Sequence, residues 1–311
     1  MSAVTHLRRV GITAPDPESL AEFYQQVWGL TVTDRRDGAI YLRGTGGEHH
    51  LLVISRGAHS SVRLVGLGLH DAAAVDETVA RLSANSQVRI VSPPSELAEP
   101  GGGYAVQLAD PDGRIIELSA EVTTVDPQDP DGRLRPVKLS HVVLNSPRSD
   151  AYADLLVDAL GFRLADEMPH MSFYRCSADH HSVAISRAPH ASLNHIAFEV
   201  PSYEDVLRGI ETMGEHGFDT VWGPGRHGPG NNVFGYFRAP NAQVIEYTAE
   251  VEQIGPDDDR PARMWLPEDI RVNDPWAAPE SARPTPHARE LMLGDPEDEP
   301  LPAAEGSNDQ A

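Results

Sequence analysis

Residues 6–32 read HLRRVGITAPDPESLAEFYQQVWGLTV, and residues 138–164 read KLSHVVLNSPRSDAYADLLVDALGFRL. Each stretch starts with a short apolar strand, passes through a polar turn, and continues as an amphipathic helix ending at Gly29 or Gly161. Leu20, Phe23, Tyr24 and Val27 recur at helical spacing in the first; Ala153, Leu156, Val157 and Leu160 do so in the second. A second pair lies further on. VRLVGLGLHDAAAVDETVARLSAN (62–85) matches LNHIAFEVPSYEDVLRGIETMGEHG (193–217) in the same strand-then-helix order. Each half then closes on a similar strand, DPDGRIIELSAEV (110–122) and APNAQVIEYTAEV (239–251).

With the strand-like segments between Gly, Asp and Asn turns, the pattern predicts βαβββ four times over. The expected fold is α+β. Four βαβββ modules pair into an N-terminal domain (1–125) and a second domain (126–250), each curling mixed sheet around a cleft with helices outside. Both are of ordinary domain size. The linker TTVDPQDPDGRLRP (123–136) carries two Asp-Pro pairs and a glycine, which favour an extended connector. Residues 251–311 form a proline-rich acidic tail, expected to cover part of the cleft and to be partly disordered, especially after Gly294.

The 311-residue chain carries 47 acidic against 25 basic residues and a formal net charge of −22. Repulsion from phosphate excludes nucleic acid and anionic membrane surfaces as partners. A single cysteine, Cys176, rules out an intrachain disulfide framework and fits a reducing cytoplasm. No stretch has the length and apolarity of a signal peptide or membrane span, so a cytoplasmic protein is expected.

Three polar residues interrupt apolar strands of the second half. His141 precedes Val142-Val143-Leu144, His195 precedes Ile196-Ala197-Phe198, and Glu246 stands between Ile245 and Tyr247. An ionised carboxylate in such a strand is costly to bury without a positive partner. Two histidines and a carboxylate at repeat-equivalent positions form the facial triad that leaves open positions on non-haem Fe(II), and Mn(II) suits the same donors. In the first half the matching positions read as Arg9, Gly66 and Glu117, so that half is expected to bind no metal.

The segments LSHVVL, HHSVAIS, LNHIAFEV and GPGRHGPGNNVFGYFRAPNAQVIEYT are similar to those of type I extradiol ring-cleavage dioxygenases (catechol 2,3-dioxygenase-like), in the vicinal oxygen chelate or glyoxalase–bleomycin resistance superfamily. The resemblance spans residues 5–250 and is specific in the second half. It implies metal ligation by His141, His195 and Glu246, acid–base work by His181, and substrate contacts from His227 and Tyr236. It further implies a catecholic substrate, O2 as co-substrate, and a homo-oligomer, with a tetramer favoured. Where the homoprotocatechuate-type branch carries a basic residue before GPGRHG, this chain has Trp222. Phe173 stands where another aromatic would meet the ring substituent. A neutral ring substituent is therefore expected, unless Arg263 or Arg271 of the tail reaches the cleft. Two other readings of the fold remain: a metal-dependent isomerase or lyase, and a resistance protein that sequesters a small molecule.

Overall fold

The computed structural model describes residues 4–82, 88–128, 132–255, 258–269, 272–278 and 281–297. The four modules appear in the expected order. The first half runs β1 (Val4–Ala14), α1 (Pro17–Gln26), β2 (Thr31–Arg36), β3 (Ala39–Arg43), β4 (Leu52–Arg56), then β5 (Ser61–Leu69), α2 (Ala72–Leu82), β6 (Arg89–Glu96), β7 (Tyr104–Ala109), β8 (Ile115–Ala120). The second repeats it with β9 (Lys138–Ser146), α3 (Ser149–Ala153, continued as a π-helical turn to Ala159), β10 (Arg163–Met168), β11 (Met171–Arg175) and β12 (Val183–Arg187). It is completed by β13 (Ser192–Glu199), α4 (Tyr203–Glu215), β14 (Thr220–Arg226), β15 (Val233–Arg238) and β16 (Val244–Ala249).

Each half forms one curled mixed sheet. The first has the order β2-β3-β4-β1-β5-β8-β7-β6, and the second β14-β15-β16-β13-β9-β12-β11-β10 with β17 (Arg263–Met264) added at its edge. In both, the two module-opening strands pair antiparallel at the centre, β1 with β5 and β9 with β13. Parallel pairing of β12 with β9 and of β16 with β13 buries the central strands on both faces. This explains the near-continuous apolar runs in which His141, His195 and Glu246 stood out.

Side-chain caps mark the starts of α1 and α4. Asp16 accepts from Ser19 N at α1, and Ser202 from Asp205 N at α4. One apolar core runs through both halves. Trp28, at the end of α1, stacks on Tyr247 of β16 with ring centroids 3.6 Å apart, and the Tyr247 hydroxyl donates to Trp28 O at 2.9 Å.

The tail packs on the second half. Its helix α5 (Pro286–Leu293) is capped by Thr285, and buries Ala288 and Met292. Order extends past Gly294 to Glu297, whose carboxylate meets Arg114 of the first half at 2.6 Å. Residues 295–297 make this ion pair and the Glu297 N to Ala191 O bond. Residues 298–311 and Arg271 lie outside the described residues. No helix among the described residues is long and apolar enough to cross a membrane.

Candidate metal centre and catalytic cavity

Strand register places the site. His141 of β9 lies opposite Ala197 of β13, Ala197 opposite Glu246 of β16, and Glu246 opposite Tyr236 of β15. These four share one rung across the sheet, and His195, two residues along β13, leans over the small Ala197. The result is a triangle of donors. His141 Nε2 lies 3.3 Å from Glu246 Oε2, His195 Nε2 lies 3.2 Å from the same oxygen, and the two Nε2 atoms are 3.3 Å apart.

Two β-bulges orient the histidines. Ser140 is the extra residue on β9 and Asn194 the extra residue on β13. The bulges turn each onto the same side as the histidine that follows. Ser140 Oγ meets His141 Nδ1 at 3.0 Å, and Asn194 Oδ1 meets His195 Nδ1 at 2.8 Å. Since Asn194 Oδ1 can only accept, His195 carries its proton on Nδ1 and presents a bare lone pair at Nε2.

The donor set fits a divalent cation. Glu246 is fully buried, and its Oε2 has no hydrogen-bond partner. Burial drives its carboxyl toward the neutral form, but His141 and His195 outweigh that and hold it below the usual carboxylate range. Burial pulls His195 below its ordinary value despite Glu246, so it is neutral at pH 7. The bare Nε2 of His195 and the ionised Glu246 Oε2 face each other at 3.2 Å, a repulsion that a cation between them removes. Two cis donors at the usual metal–nitrogen distance of about 2.1 Å stand about 3 Å apart, close to the edges of this triangle.

A cavity of about 280 Å³ opens over the triangle. His141, His195, His181, His227, Tyr236, Phe173 and Trp222 all line it, so the structure brings every residue singled out in the sequence except the buried Glu246 to one surface. The His181 ring lies 4.2 Å from that of His141 and edge-on to Phe173 at 5.1 Å. His227 Nδ1 donates to Asn273 O of the tail at 3.0 Å, which leaves Nε2 to accept from the Tyr236 hydroxyl at 2.9 Å. Desolvation lowers the His227 pKa to about 4, consistent with that neutral acceptor. Tyr236, with burial and Glu246 both against its ionisation, is held well above its ordinary value. Trp222 stacks on Tyr236 at 5.3 Å.

Several contributors were not singled out. His180, which directly precedes His181, is fully buried. Its Nε2 donates to Asp166 at 3.1 Å and its Nδ1 faces His181 Nδ1 at 3.0 Å. Asp166 is held below the usual carboxylate range, where burial opposes bonds from His180, Trp265 Nε1, Arg263 N and Arg260. The signal for this pair was the recurrence of two adjacent histidines before a strand, EHHLLVIS and DHHSVAIS. Arg187 and Arg289 line the mouth of the cavity and are exposed. Arg263 does not line it; it pairs with Asp269 and covers the Trp265 ring.

Among the described residues, the first half holds no such triangle. Arg9 Nη2 reaches Glu117 Oε2 at 2.7 Å and Arg8 Nη2 reaches Oε1 at 2.8 Å. Guanidinium groups therefore neutralise the carboxylate matching Glu246. One sequence assignment needs correction. Gly66 lies opposite both Arg9 and Glu117, the place Ala197 takes in the second half, so the counterpart of His195 is Leu64. Arg9 crosses directly over Gly66, where a Cβ would come within 2.6 Å of its Cγ.

A sequence profile described as the Glyoxalase/Bleomycin resistance protein/Dioxygenase superfamily matches residues 6–118 and 138–247, one span per half. The chain belongs to that superfamily. Among similar members is Metapyrocatechase 2 of Cupriavidus necator, 32% identical over 140 residues, a span of 44% of each chain. A manganese-dependent 2,3-dihydroxybiphenyl 1,2-dioxygenase of Geobacillus genomosp. 3 is 24% identical, over 75% of this chain and 81% of its own. A Mn(II)-bound glyoxalase from Novosphingobium aromaticivorans, known from a crystal structure, is 34% identical with a TM-score of 0.83, covering 92% of this chain and 96% of that one. The superfamily fold and a triad able to hold a divalent metal are thus established together.

Proposed function

We propose that the chain is an extradiol dioxygenase that opens the ring of a substituted catechol with O2, using Fe(II) or Mn(II) held by His141, His195 and Glu246. The observation that carries this reading is the ring of His181, His227 and Tyr236 around the open side of the donor triangle. Sequestration of a small molecule needs none of the three.

When bound, the metal supplies chelation of the two catechol oxygens and an electron path to O2. The protein supplies orientation and proton handling. Asp166 fixes the His180 proton on Nε2, so His180 accepts from His181 Nδ1–H, and His181 turns its bare Nε2 to the cavity. Burial beside His141 and His180 keeps this imidazole neutral at pH 7, the form that takes a proton from a catechol hydroxyl. Tyr236 commits its proton to His227 and offers lone pairs to the other hydroxyl. Phe173, Trp222, Met168 and Val272 exclude water and pack the ring substituent. This wall favours neutral substituents, since a carboxylate packed against these four side chains loses hydration and gains no charged partner from them.

The Mn(II)-bound glyoxalase favours a second reading, a metal-dependent isomerase on the same scaffold. Against it, among the described residues only His141, His195 and Glu246 group as ligands, with no further carboxylate. A panel of catechols offered to Fe(II)- and Mn(II)-loaded protein in air separates the two. Visible absorbance of a ring-opened semialdehyde supports the dioxygenase. No spectral change with any catechol, together with turnover of a thiol hemiacetal, would establish the isomerase.

A further inference from the structure

The last carbonyls of a helix have no partner within it. In α5 they include Met292 O and Leu293 O, to which Asn145 Nδ2 donates at 2.8 and 3.1 Å. Ser192 Oγ also donates to Leu293 O. Asn145 lies on β9 four residues beyond His141. Two carbonyl acceptors fix which end of its amide is Nδ2, so its Oδ1 must accept, which it does from Asn194 Nδ2 at 3.0 Å. That bond fixes the Asn194 amide in turn, and Asn194 Oδ1 accepts from His195 Nδ1. Every group in the chain from helix end to histidine has its donor or acceptor role set by the one before it.

We propose that docking of α5 sets the tautomer and aim of His195 through Asn145 and Asn194, so that the C-terminal tail and the metal site are coupled. The inference rests on the reading of His195 as a metal ligand. The alternative state is defined by the same groups. A His195 protonated on Nε2 donates to Glu246 and needs a donor, not an acceptor, at Nδ1; the Asn194 amide then flips, Asn145 follows, and the carbonyls of α5 lose their donor. Metal at Nε2 and α5 on the sheet favour the same amide orientations, and each strengthens the other. The first half is consistent with this role. Thr13 and Arg63 occupy the positions of Asn145 and Asn194, and Leu64 that of His195, so amides stand only where a histidine needs aiming. The tail end is secured further by His190 Nε2 on Gly294 O at 3.1 Å and by Arg114 on Glu297.

The test measures Mn(II) affinity of the full-length chain by chelator competition, with amide exchange across residues 286–293. Asn194→Ala and Asn145→Ala should each weaken Mn(II) binding about 10–100-fold. Ala288→Asp, which undocks α5 at a fully buried position, should weaken it similarly although it touches no ligand. Mn(II) should slow exchange in 286–293 of the wild type by a comparable factor. Asn194→Asp keeps the acceptor for His195 and loses the donor to Asn145. It should retain affinity within about threefold while exchange in α5 no longer responds to Mn(II). Wild-type affinity in Asn145→Ala, Asn194→Ala and Ala288→Asp, with Mn(II) binding still abolished by His195→Ala, would overturn the coupling and leave the metal site standing. Undiminished binding in His195→Ala would overturn the metal site itself, and the coupling with it.

Discussion

Neutral imidazole is the form in which histidine accepts a proton, and burial holds His181 in that form beside the cavity. If it moves the substrate proton, His181→Asn should bind metal and catechol normally and turn over about 10²–10⁴-fold more slowly. A metal-replete variant with near-normal kcat would remove His181 from the reaction. His50, its counterpart in the first half, shows what burial does without chemistry. Desolvation, with Arg8 and Arg9 nearby, lowers its pKa to about 2, and Arg9 Nη1 donates to its Nε2 at 3.3 Å. Below about pH 6.5 the unfolded chain takes up a proton that folded His50 refuses, so stability is complete above that pH and falls as pH drops toward 2. The slope is about 1.4 kcal/mol per pH unit for this one group. Urea unfolding at pH 6 and pH 5 should show one proton fewer in the pH dependence of His50→Gln; an unchanged slope would mean that folded His50 is charged. Single residues differed in how legible they were. Glu246 announced itself because a carboxylate in an apolar strand demands a cation. Asp166 and His180 did not, because nothing in the sequence shows which buried groups they face.

At the scale of strands, the site is a rung plus two bulges. The period-two alternation that makes a strand legible also hides a bulge, since one extra residue looks like ordinary sequence. Matching Gly66 with His195 was an error of this kind: the repeat gave the right strand, and only the register gave the right residue. The order of modules, by contrast, was readable because the strand–turn–helix pattern recurs four times. The rung makes its own prediction. Ala197 leaves the gap between His141 and Glu246, as Gly66 does between Arg9 and Glu117. Ala197→Leu should fill it and abolish metal binding, and Ala197→Gly should leave binding intact. Stoichiometric Mn(II) in the leucine variant would show that the gap is not where the metal sits.

Across the whole molecule, one half supplies a closed, self-neutralised version of the site and the other an open version. Trp28 locks the first to the back of β16, which carries Glu246. The tail closes the far side, with Asn273 on His227 and Met292, Leu293 and Arg289 on the cavity wall. Which residues of the tail reach the cavity was not legible, because a proline-rich acidic segment has no period to follow. Among the described residues, the cavity is lined by cations only at its exposed mouth, where water screens Arg187 and Arg289. Catechols with a neutral alkyl or aryl group should therefore show higher kcat/KM than homoprotocatechuate. A tenfold preference for the acid, about 1.4 kcal/mol, would place an arginine against the substituent.

In the proposed reaction, one metal triangle combines a catechol with O2. An oxygen electrode tests it with Fe(II)-loaded protein and 4-methylcatechol, and His195→Ala as the control. One O2 should be consumed per catechol, with ring-opened product rising in step and no hydrogen peroxide released, and none of this in the control. A metal-replete wild type that consumes no oxygen, or reduces it to peroxide with the ring intact, would contradict it.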